Sequence, residues 1–256
     1  MSDLVRLERS ARAAAVVFSR PPLNILDLEL LAELDAVVSD LAGDESLQVV
    51  TLAGAGEKAF SAGVSVQDHT PDKIDRMLLS FHGGIAKLRA LDAFTIALVD
   101  GHCLGGGMEL ALACDFVLAT DRSRFGQPEI ALGCFPPVAA ALYPRRIGTG
   151  RTLELLLTGR VFGADEAERL GFVDERLADS AALETRAAEL ADAITKQSAA
   201  VSRLTKRAVR AGERLPYPAA VAEAERLYLR DLVRVDDMQE GLNAFAAKRP
   251  PAWKHR

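Results

Sequence analysis

An apolar run that passes into three consecutive glycines and then into a helical pattern is the strongest constraint in this sequence. The run covers residues 94–99, the glycines are residues 105–107, and apolar residues at helical spacing continue to residue 113. A strand, a glycine turn and a helix start, in this order, expose backbone N–H groups at the positive end of the helix. Glycines let a ligand approach these groups closely, because no Cβ stands in the way. The stretch therefore predicts a site for an anion, or for an oxygen that becomes negative during a reaction.

Glu109 lies in the first turn of the predicted helix, so a carboxylate accompanies the N–H donors. Two interpretations are open at this point. The helix dipole alone favours a glutamate in a first turn, and the glycines also suit a tight turn under close packing. The phosphate loop G-x-x-x-x-G-K-[ST] is absent, and G-x-G-x-x-G does not occur here at the right spacing. A nucleotide phosphate site of either type is therefore not predicted.

Length and charge limit the class of protein. The chain has 256 residues, enough for one large domain or for one domain with an appendage. Its net charge is −5, from 31 basic and 36 acidic residues. This balance argues against nucleic acid or an acidic membrane as the main partner, although it leaves room for a small basic pocket that binds a phosphorylated ligand.

The cysteines and histidines give no metal-binding pattern. The three cysteines, at positions 103, 114 and 134, form no C-x-x-C pair, and the four histidines form no H-E-x-x-H. Such cysteines are typical of free thiols in a reducing compartment. The charged N-terminus does not read as a signal peptide, and no apolar run reaches the roughly 18 to 20 residues that cross a bilayer. These features predict a soluble cytoplasmic protein without a metal.

Strand and helix patterns alternate through the first two-thirds of the chain, and helical patterns fill the rest, which favours an α/β fold. Asp27 is predicted to cap a helix over residues 28–42. A second helix is predicted to start at Thr70, before Pro71, with an apolar stripe that belongs to the core. A small strand is predicted over residues 171–176, and residues from 180 onward are predicted to be helical.

Four segments, in order along the chain, resemble the crotonase family, the enoyl-CoA hydratase/isomerase superfamily. KAFSAG at residues 58–63 is similar to the family's first oxyanion loop, and residues 101–109, closed by Asp115, are similar to the second. FGQPEIALG at residues 125–133 is similar to the second acid/base motif. EGLNAFAAKRP at residues 240–250 is similar to the C-terminal helix and tail. The resemblance covers nearly the whole length.

This resemblance implies a fold, an assembly and an activity. The fold would be an α/β crotonase-like spiral of repeated β-β-α units over residues 1–195. Residues 196–256 would form a C-terminal α-helical oligomerisation region that makes homotrimers, which commonly pair into homohexamers. The activity would be that of a lyase that adds water to the conjugated double bond of an enoyl- or dienoyl-CoA thioester in fatty acid or aromatic acid degradation. The substrate would be carried on coenzyme A, with no further cofactor.

The resemblance also assigns roles to residues. The N–H groups of Val64 and Gly106 would form the oxyanion hole, and Glu109 and Glu129 would be the two catalytic glutamates. Glu109 would mainly activate water and Glu129 would mainly protonate the α-carbon. Having both glutamates favours hydration, because isomerases of the family usually keep one. The residues expected to contact substrate are Ala62, Gly63, Ser65, Val66, Gly105 and Pro136.

Two departures from the family pattern bear on the acyl group. The common Ala-Gly-Ala-Asp-Ile reads AGVSV at residues 62–66, and Pro-Gly-Ala-Gly reads PPVA at residues 136–139. A glycine-rich wall thus becomes a stiffer and bulkier one. Residues 61–71 and 132–137 are similar to cyclohexa-1,5-diene-1-carbonyl-CoA hydratases, which implies a flat, cyclic, conjugated acyl group.

The sequence leaves several alternatives open. A general short-chain enoyl-CoA hydratase, an enoyl-CoA isomerase and a non-catalytic acyl-CoA-binding protein are the other candidates. The acyl group, the direction of the reaction, and trimer against hexamer are not determined, nor are the roles of His69, His102 and Cys103. The basic residues of the tail would either meet the 3′-phosphate of CoA or remain solvated; they are Lys248, Arg249, Lys254 and Arg256.

Overall fold

Two β-sheets carry the first two-thirds of the chain in this computed structural model, which describes residues 4–213 and 215–256. The larger sheet has the order β1-β2-β3-β5-β7-β10 and the smaller sheet the order β4-β6-β8-β9. The strands are β1 (Val5–Arg9), β2 (Ala13–Phe18), β3 (Val49–Gly54), β4 (Ala59–Ser61), β5 (Phe94–Val99), β6 (His102–Leu104), β7 (Phe116–Thr120), β8 (Arg124–Gly126), β9 (Val161–Gly163) and β10 (Glu175–Leu177).

The helices surround the sheets and form the C-terminal region. They are α1 (Leu28–Ala42), α2 (Ile74–Ala90), α3 (Gly106–Ala113), α4 (Pro137–Ile147), α5 (Thr149–Thr158), α6 (Ala164–Leu170), α7 (Ser180–Thr195), α8 (Ala199–Gly212), α9 (Tyr217–Arg230) and α10 (Asp236–Ala246). Short 3₁₀ helices cover Val66–Asp68, Pro128–Leu132 and Leu232–Arg234.

The strands alternate between the two sheets, which confirms the predicted spiral of β-β-α units. β3 enters the larger sheet and β4 the smaller one before α2 begins; β5, β6 and α3 repeat the step, and β7, β8 and α4 follow. β3, β5 and β7 run parallel, as do β4, β6 and β8. Because parallel strands end at the same edge, the loops after β4 and β6 are brought together.

Both faces of the larger sheet are buried, which explains its near-continuous apolar strands. One face packs against α7, where Val49 and Ile96 meet Leu183. The other face belongs to the main core with α1, which begins as predicted: the Asp27 side chain accepts a hydrogen bond from the Leu30 N–H at 2.9 Å.

Two predicted boundaries were wrong. Residues 71–73 form a turn, closed by the Lys73 N–H donating to the Thr70 carbonyl, and the regular helix α2 starts only at Ile74. The strand predicted over residues 171–176 instead covers Glu175–Leu177. Upstream of it, the N–H groups of Phe172 and Val173 donate to the Ala167 carbonyl and close the end of α6 instead of joining a sheet.

The C-terminal tail folds back on its own chain. The Asp237 carboxylate accepts from the backbone N–H groups of Lys254 and His255 at 2.6 and 2.8 Å. Arg249 forms an ion pair with Glu240, so this cation of the tail is already paired within the chain. α7 ends at Thr195, where the predicted core region ends, but the division into two regions stays a prediction. Over the described ranges, none of the helices combines the length and the apolar character needed to span a membrane.

Candidate active site

The two glycine loops predicted from the sequence meet at one edge of the smaller sheet. β4 pairs with β6, so the loop at Gly63 lies directly beside the loop at Gly105. A Cβ built on Gly63, whose φ is +108°, would lie 3.4 Å from the Gly106 amide nitrogen. A Cβ on Gly106 would lie 3.3 Å from the Val64 amide nitrogen. The close approach of these two backbones therefore depends on glycine at both positions.

The amide groups of Val64 and Gly106 are available for a ligand. The Leu26 N–H donates to the Gly63 carbonyl at 2.9 Å, and the Ser65 N–H donates to the Leu26 carbonyl at 3.1 Å. This pairing turns the N–H of Val64 away from Leu26. Gly106 is the first residue of α3, so its N–H has no acceptor within the helix. Across residues 4–213 and 215–256, neither group has a hydrogen-bond acceptor.

Glu109 is buried in the first turn of α3, with 3 % of its surface exposed. Its Oε1 accepts a hydrogen bond from the Ala139 N–H at 2.7 Å, at the N-terminal end of α4. Burial raises the pKa of Glu109 to about 7; the charge of Glu129 adds to the rise, and the N–H donors of Ala139 and Val138 oppose it. Near neutral pH, this carboxyl group can therefore both take and give a proton.

Glu129 comes from the 3₁₀ helix Pro128–Leu132 and faces Gly105. Gly105 has a φ of +53°, and a Cβ there would lie 2.6 Å from Glu129 Oε1. Burial raises the pKa of Glu129, while its own backbone hydrogen bond and the charge of His69 lower it in part. The second glycine loop thus supplies both a helix N-terminus and the space for this carboxylate.

Gln127 contacts Glu129, and Tyr143 contacts Gln127; no pattern in the sequence predicted a role for either residue. The amide nitrogen of Gln127 lies 3.1 Å from Oε1 and 3.0 Å from Oε2 of Glu129, and its amide oxygen accepts from the Tyr143 hydroxyl. This orientation follows from chemistry, since a carboxylate only accepts and therefore faces the NH₂ group. Gln127 stands inside the motif that predicted Glu129, whereas Tyr143 lies on α4 and is brought in by packing.

A cavity of about 380 Å³ is lined by both glutamates and by Val64 and Gly106. Its apolar wall combines one side of α2 with the segment that follows Glu129. The lining residues are Ala62, Gly63, Val64, Val66, His69, Ile74, Met77, Leu78, Phe81, His82, Gly105, Gly106, Glu109, Pro128, Glu129, Leu132, Gly133, Cys134, Phe135, Pro136 and Pro137. Ile74 and Leu78 are part of the apolar stripe of α2 that was predicted to belong to the core, and they line this wall. His82 and Cys134 were missed, because their place in the cavity depends on tertiary packing.

Nine of the ten predicted site residues line this cavity, and Ser65 does not. Ser65 lies outside its lining; it is buried, and its carbonyl holds the turn by accepting from the Asp68 N–H and from His69 Nδ1. His69 does line the cavity, whereas His102 is exposed on β6. Cys103 is fully buried next to the glycines, outside the lining.

A larger cavity, of about 630 Å³, lies at the opposite edge of the larger sheet, beside α8. Two of its three lining cations, Lys206 and Arg210, are paired with Asp115. The glutamates and the free N–H donors are in the smaller cavity, so volume does not identify the reactive site here. In the described ranges, no group of three or more His, Cys, Asp or Glu side chains could hold a metal ion.

The spiral of β-β-α units, the paired glycine loops and the two facing glutamates define a crotonase-type enzyme. Residues 8–256 match the enoyl-CoA hydratase/isomerase family, and the chain belongs to that family. This confirms the resemblance read from the sequence. The chain is an enzyme of the enoyl-CoA hydratase type, a class of lyase that acts on acyl-CoA thioesters.

Individual relatives cover the chain almost completely. A Rhizobium meliloti (strain 1021) protein named "Probable enoyl-CoA hydratase" is 36% identical over 99% of this chain and 99% of its own length. The cyclohexa-1,5-dienecarbonyl-CoA hydratase of Thauera aromatica is 34% identical over 98% of this chain and 96% of its own length. The crystal structure of an enoyl-CoA hydratase from Bacillus anthracis superposes with a TM-score of 0.93 at 30% identity, covering 99% of this chain and 100% of that one.

Proposed function

We propose that this protein adds water to the conjugated double bond of an acyl-CoA thioester through an enolate. The observation that carries the proposal is the arrangement of two glutamates that line one cavity beside two backbone N–H groups, neither of which has an acceptor among the residues that the structure describes. Isomerisation would need one carboxylate, and a binding protein would need neither.

The backbone donors would act on the thioester oxygen. The N–H groups of Val64 and Gly106 donate to this oxygen, which gains negative charge as water adds to the β-carbon. Fixed donors in a site of low dielectric stabilise such charge without having to reorganise. CoA would enter along the loop after Gly63, where Ala62 and Val66 line the cavity.

The two carboxyl groups would divide the proton transfers. Glu109 takes a proton from water, for which a pKa of about 7 is well suited. Glu129 delivers a proton to the α-carbon, and dehydration reverses both steps. Each hydration starts with Glu109 ionised and Glu129 protonated and leaves these states reversed, so a proton passes from Glu109 to Glu129 through solvent before the next turnover. The proposed reaction requires no cofactor and no metal.

We infer that the acyl group is a flat, conjugated ring, as in cyclohexa-1,5-diene-1-carbonyl-CoA. Phe135, Pro136 and Pro137 line the cavity and present rigid apolar surface to it. Phe81 of α2 lines the same cavity. The Thauera aromatica relative carries this substrate in its name. The second candidate is a general short-chain enoyl-CoA hydratase. The Rhizobium meliloti relative is named as a probable enoyl-CoA hydratase, without a stated acyl group.

Substrate choice is tested by offering crotonyl-CoA and cyclohexa-1,5-diene-1-carbonyl-CoA separately and following water addition by mass. We expect faster turnover of the dienoyl ester, because a rigid wall loses little entropy when it contacts a rigid ring. Label from ¹⁸O-water should enter the product without cleavage of the ring. A clear preference for crotonyl-CoA would instead make the protein a general short-chain hydratase, and a shifted double bond without label would make it an isomerase.

We also propose that the protein assembles as a homotrimer or homohexamer through its C-terminal helices. Large apolar side chains are exposed there: Tyr217 by 81%, Leu229 by 67% and Phe245 by 88%. Exposed apolar patches of this kind mark interaction surfaces.

Sedimentation equilibrium should show three or six subunits, and Phe245→Asp should shift the protein toward monomer. Leu157→Asp, which places a charge at an exposed position of α5 outside the region, is the matched control. A monomer at every concentration would contradict the proposal.

A further inference from the structure

A buried chain of polar side chains ends at the carboxylate of Glu129. Tyr143 has 0% and Gln127 has 2% of its surface exposed. The Tyr143 hydroxyl donates to the Gln127 amide oxygen, and the Gln127 amide nitrogen lies 3.1 and 3.0 Å from the two oxygens of Glu129. Each group in the chain has its partner in the next, as buried polar groups require.

We propose that Gln127, anchored by Tyr143, is a positioning residue that holds the Glu129 carboxylate over Gly105 and stabilises its ionised form. This inference rests on the proposed catalytic role of Glu129. Gln127 would touch neither the substrate nor the reacting water, since it acts through the carboxylate. Tyr143 in turn would act through Gln127.

The backbone around Glu129 does little to fix the side chain. None of the residues in the 3₁₀ helix Pro128–Leu132 is fully buried, so packing alone does not hold this segment rigidly. The charge of Glu109 acts on Glu129 and repels it when both are ionised. A donor that contacts both oxygens opposes this repulsion and restricts rotation of the carboxylate. Over residues 4–213 and 215–256, Gln127 is the side chain whose hydrogen bonds to Glu129 do this.

Tyr143 is suited to hold the amide in one orientation. The centroid of its ring lies 4.7 Å from the centroid of the Phe172 ring, and its hydroxyl is enclosed by the core. Burial and the charge of Glu109 raise the pKa of Tyr143 well above its usual value, so the hydroxyl keeps its proton. A permanent O–H donor selects the amide oxygen of Gln127, which directs the NH₂ group toward Glu129.

The direction of the pH effect follows from the hydrogen bonds. Donors to an ionised carboxylate favour the charged form and lower its pKa. Their removal raises the pKa of Glu129, so the limb of the rate profile that reports this group moves to higher pH. Because Glu109 and Glu129 interact, the measured values belong to the pair. An upward shift of the profile is therefore the readout, whichever glutamate dominates a given limb.

The test compares Gln127→Leu, Tyr143→Phe and the double variant by kcat, KM and the pH profile. We expect kcat of Gln127→Leu to fall roughly tenfold to a hundredfold, as for misplaced catalytic groups, with little change in KM. Tyr143→Phe should show a smaller fall of the same kind, with an upward shift of the profile in both. The double variant should be no slower than Gln127→Leu, since both act through one carboxylate.

Phe172→Leu is the matched control, because it disturbs the packing around Tyr143 without touching a hydrogen bond. It should lower the melting temperature and leave the pH profile in place. A wild-type kcat and profile in Gln127→Leu, alongside an inactive Glu129→Gln, would overturn the positioning role alone. An active Glu129→Gln would instead refute the proposed function. If Gln127→Leu does not fold, Tyr143→Phe, which removes a single atom, decides by the presence or absence of the shift.

Discussion

Replacing Glu109 or Glu129 with glutamine is expected to reduce kcat for hydration by roughly 10²–10⁴, the range that general acid–base catalysis contributes. The amide has nearly the same shape as the carboxylate, and its oxygen can still accept from the Ala139 N–H at position 109. It cannot exchange a proton with water or with the α-carbon. The loss should therefore appear in kcat and leave the binding of a CoA product almost unchanged.

The pH profile separates the two variants. Below about pH 7 the wild-type rate of hydration should fall, because burial raises the pKa of Glu109 to about 7 and the protonated form takes no proton from water. Glu109→Gln should remove this limb, and Glu129→Gln should keep a limb controlled by Glu109. Because the charge of Glu129 contributes to the raised pKa of Glu109, that limb should lie at lower pH in Glu129→Gln.

Glu184→Gln, on the exposed side of α7, is the control for the loss of one negative charge. It should have the wild-type rate and pH profile. The double variant Glu109→Gln/Glu129→Gln should be less impaired than the product of the single effects, since groups that act as a unit are not additive. Near-wild-type turnover in both single variants would refute the assignment of these residues as acid and base.

Local pattern predicts the parts of this fold that local chemistry determines. β3, β5 and β7 follow from apolar runs buried on both faces, and α1 follows from its cap at Asp27. The start of α2 and the extent of β10 could not be obtained in this way. They depend on which carbonyl accepts a given N–H. The Lys73 N–H donates to the Thr70 carbonyl, and the Phe172 N–H donates to the Ala167 carbonyl. Such competition between partners is decided by the assembled structure.

The residues of the candidate site also fall into those that local motifs predict and those that only tertiary packing places there. Glu109 and Glu129 stand in local motifs, so residue type and spacing were enough to single them out. Gln127 is two residues from Glu129, but its role depends on Tyr143, 16 positions away on another helix. His82 lines the cavity because α2 contributes one part of its wall, and this packing is not readable from the local sequence. Ser65 shows the opposite case: its place in the loop predicts a contact with substrate, but it lies outside the lining of the cavity, and its carbonyl accepts hydrogen bonds from Asp68 and His69.

Gly106→Ala is expected to lower kcat by roughly 10²–10³, the cost of losing one oxyanion donor. An added Cβ would lie 2.6 Å from Val64 Cγ2 and 3.2 Å from the tip of the Phe81 ring. The Val64 side chain must then shift, and the Val64 amide nitrogen, 3.3 Å from the added Cβ, is crowded as well, so one methyl group disturbs both donors. Steady-state kinetics measures the loss, and exchange of the α-protons of a saturated acyl-CoA in deuterated water measures enolate formation directly. Both rates should fall together.

Gly83→Ala is the matched control for this change. Gly83 also lies in a helix, but a Cβ there meets nothing within 4 Å. Alanine should stabilise α2 by about 0.5–1 kcal/mol and leave both rates unaltered. A slow Gly106→Ala variant with an unchanged melting temperature would place the defect in the oxyanion donors. A general loss of packing would lower the melting temperature as well as the rates. Wild-type exchange of the α-protons in Gly106→Ala would remove Gly106 and Val64 from the oxyanion hole, whatever happened to the glutamates.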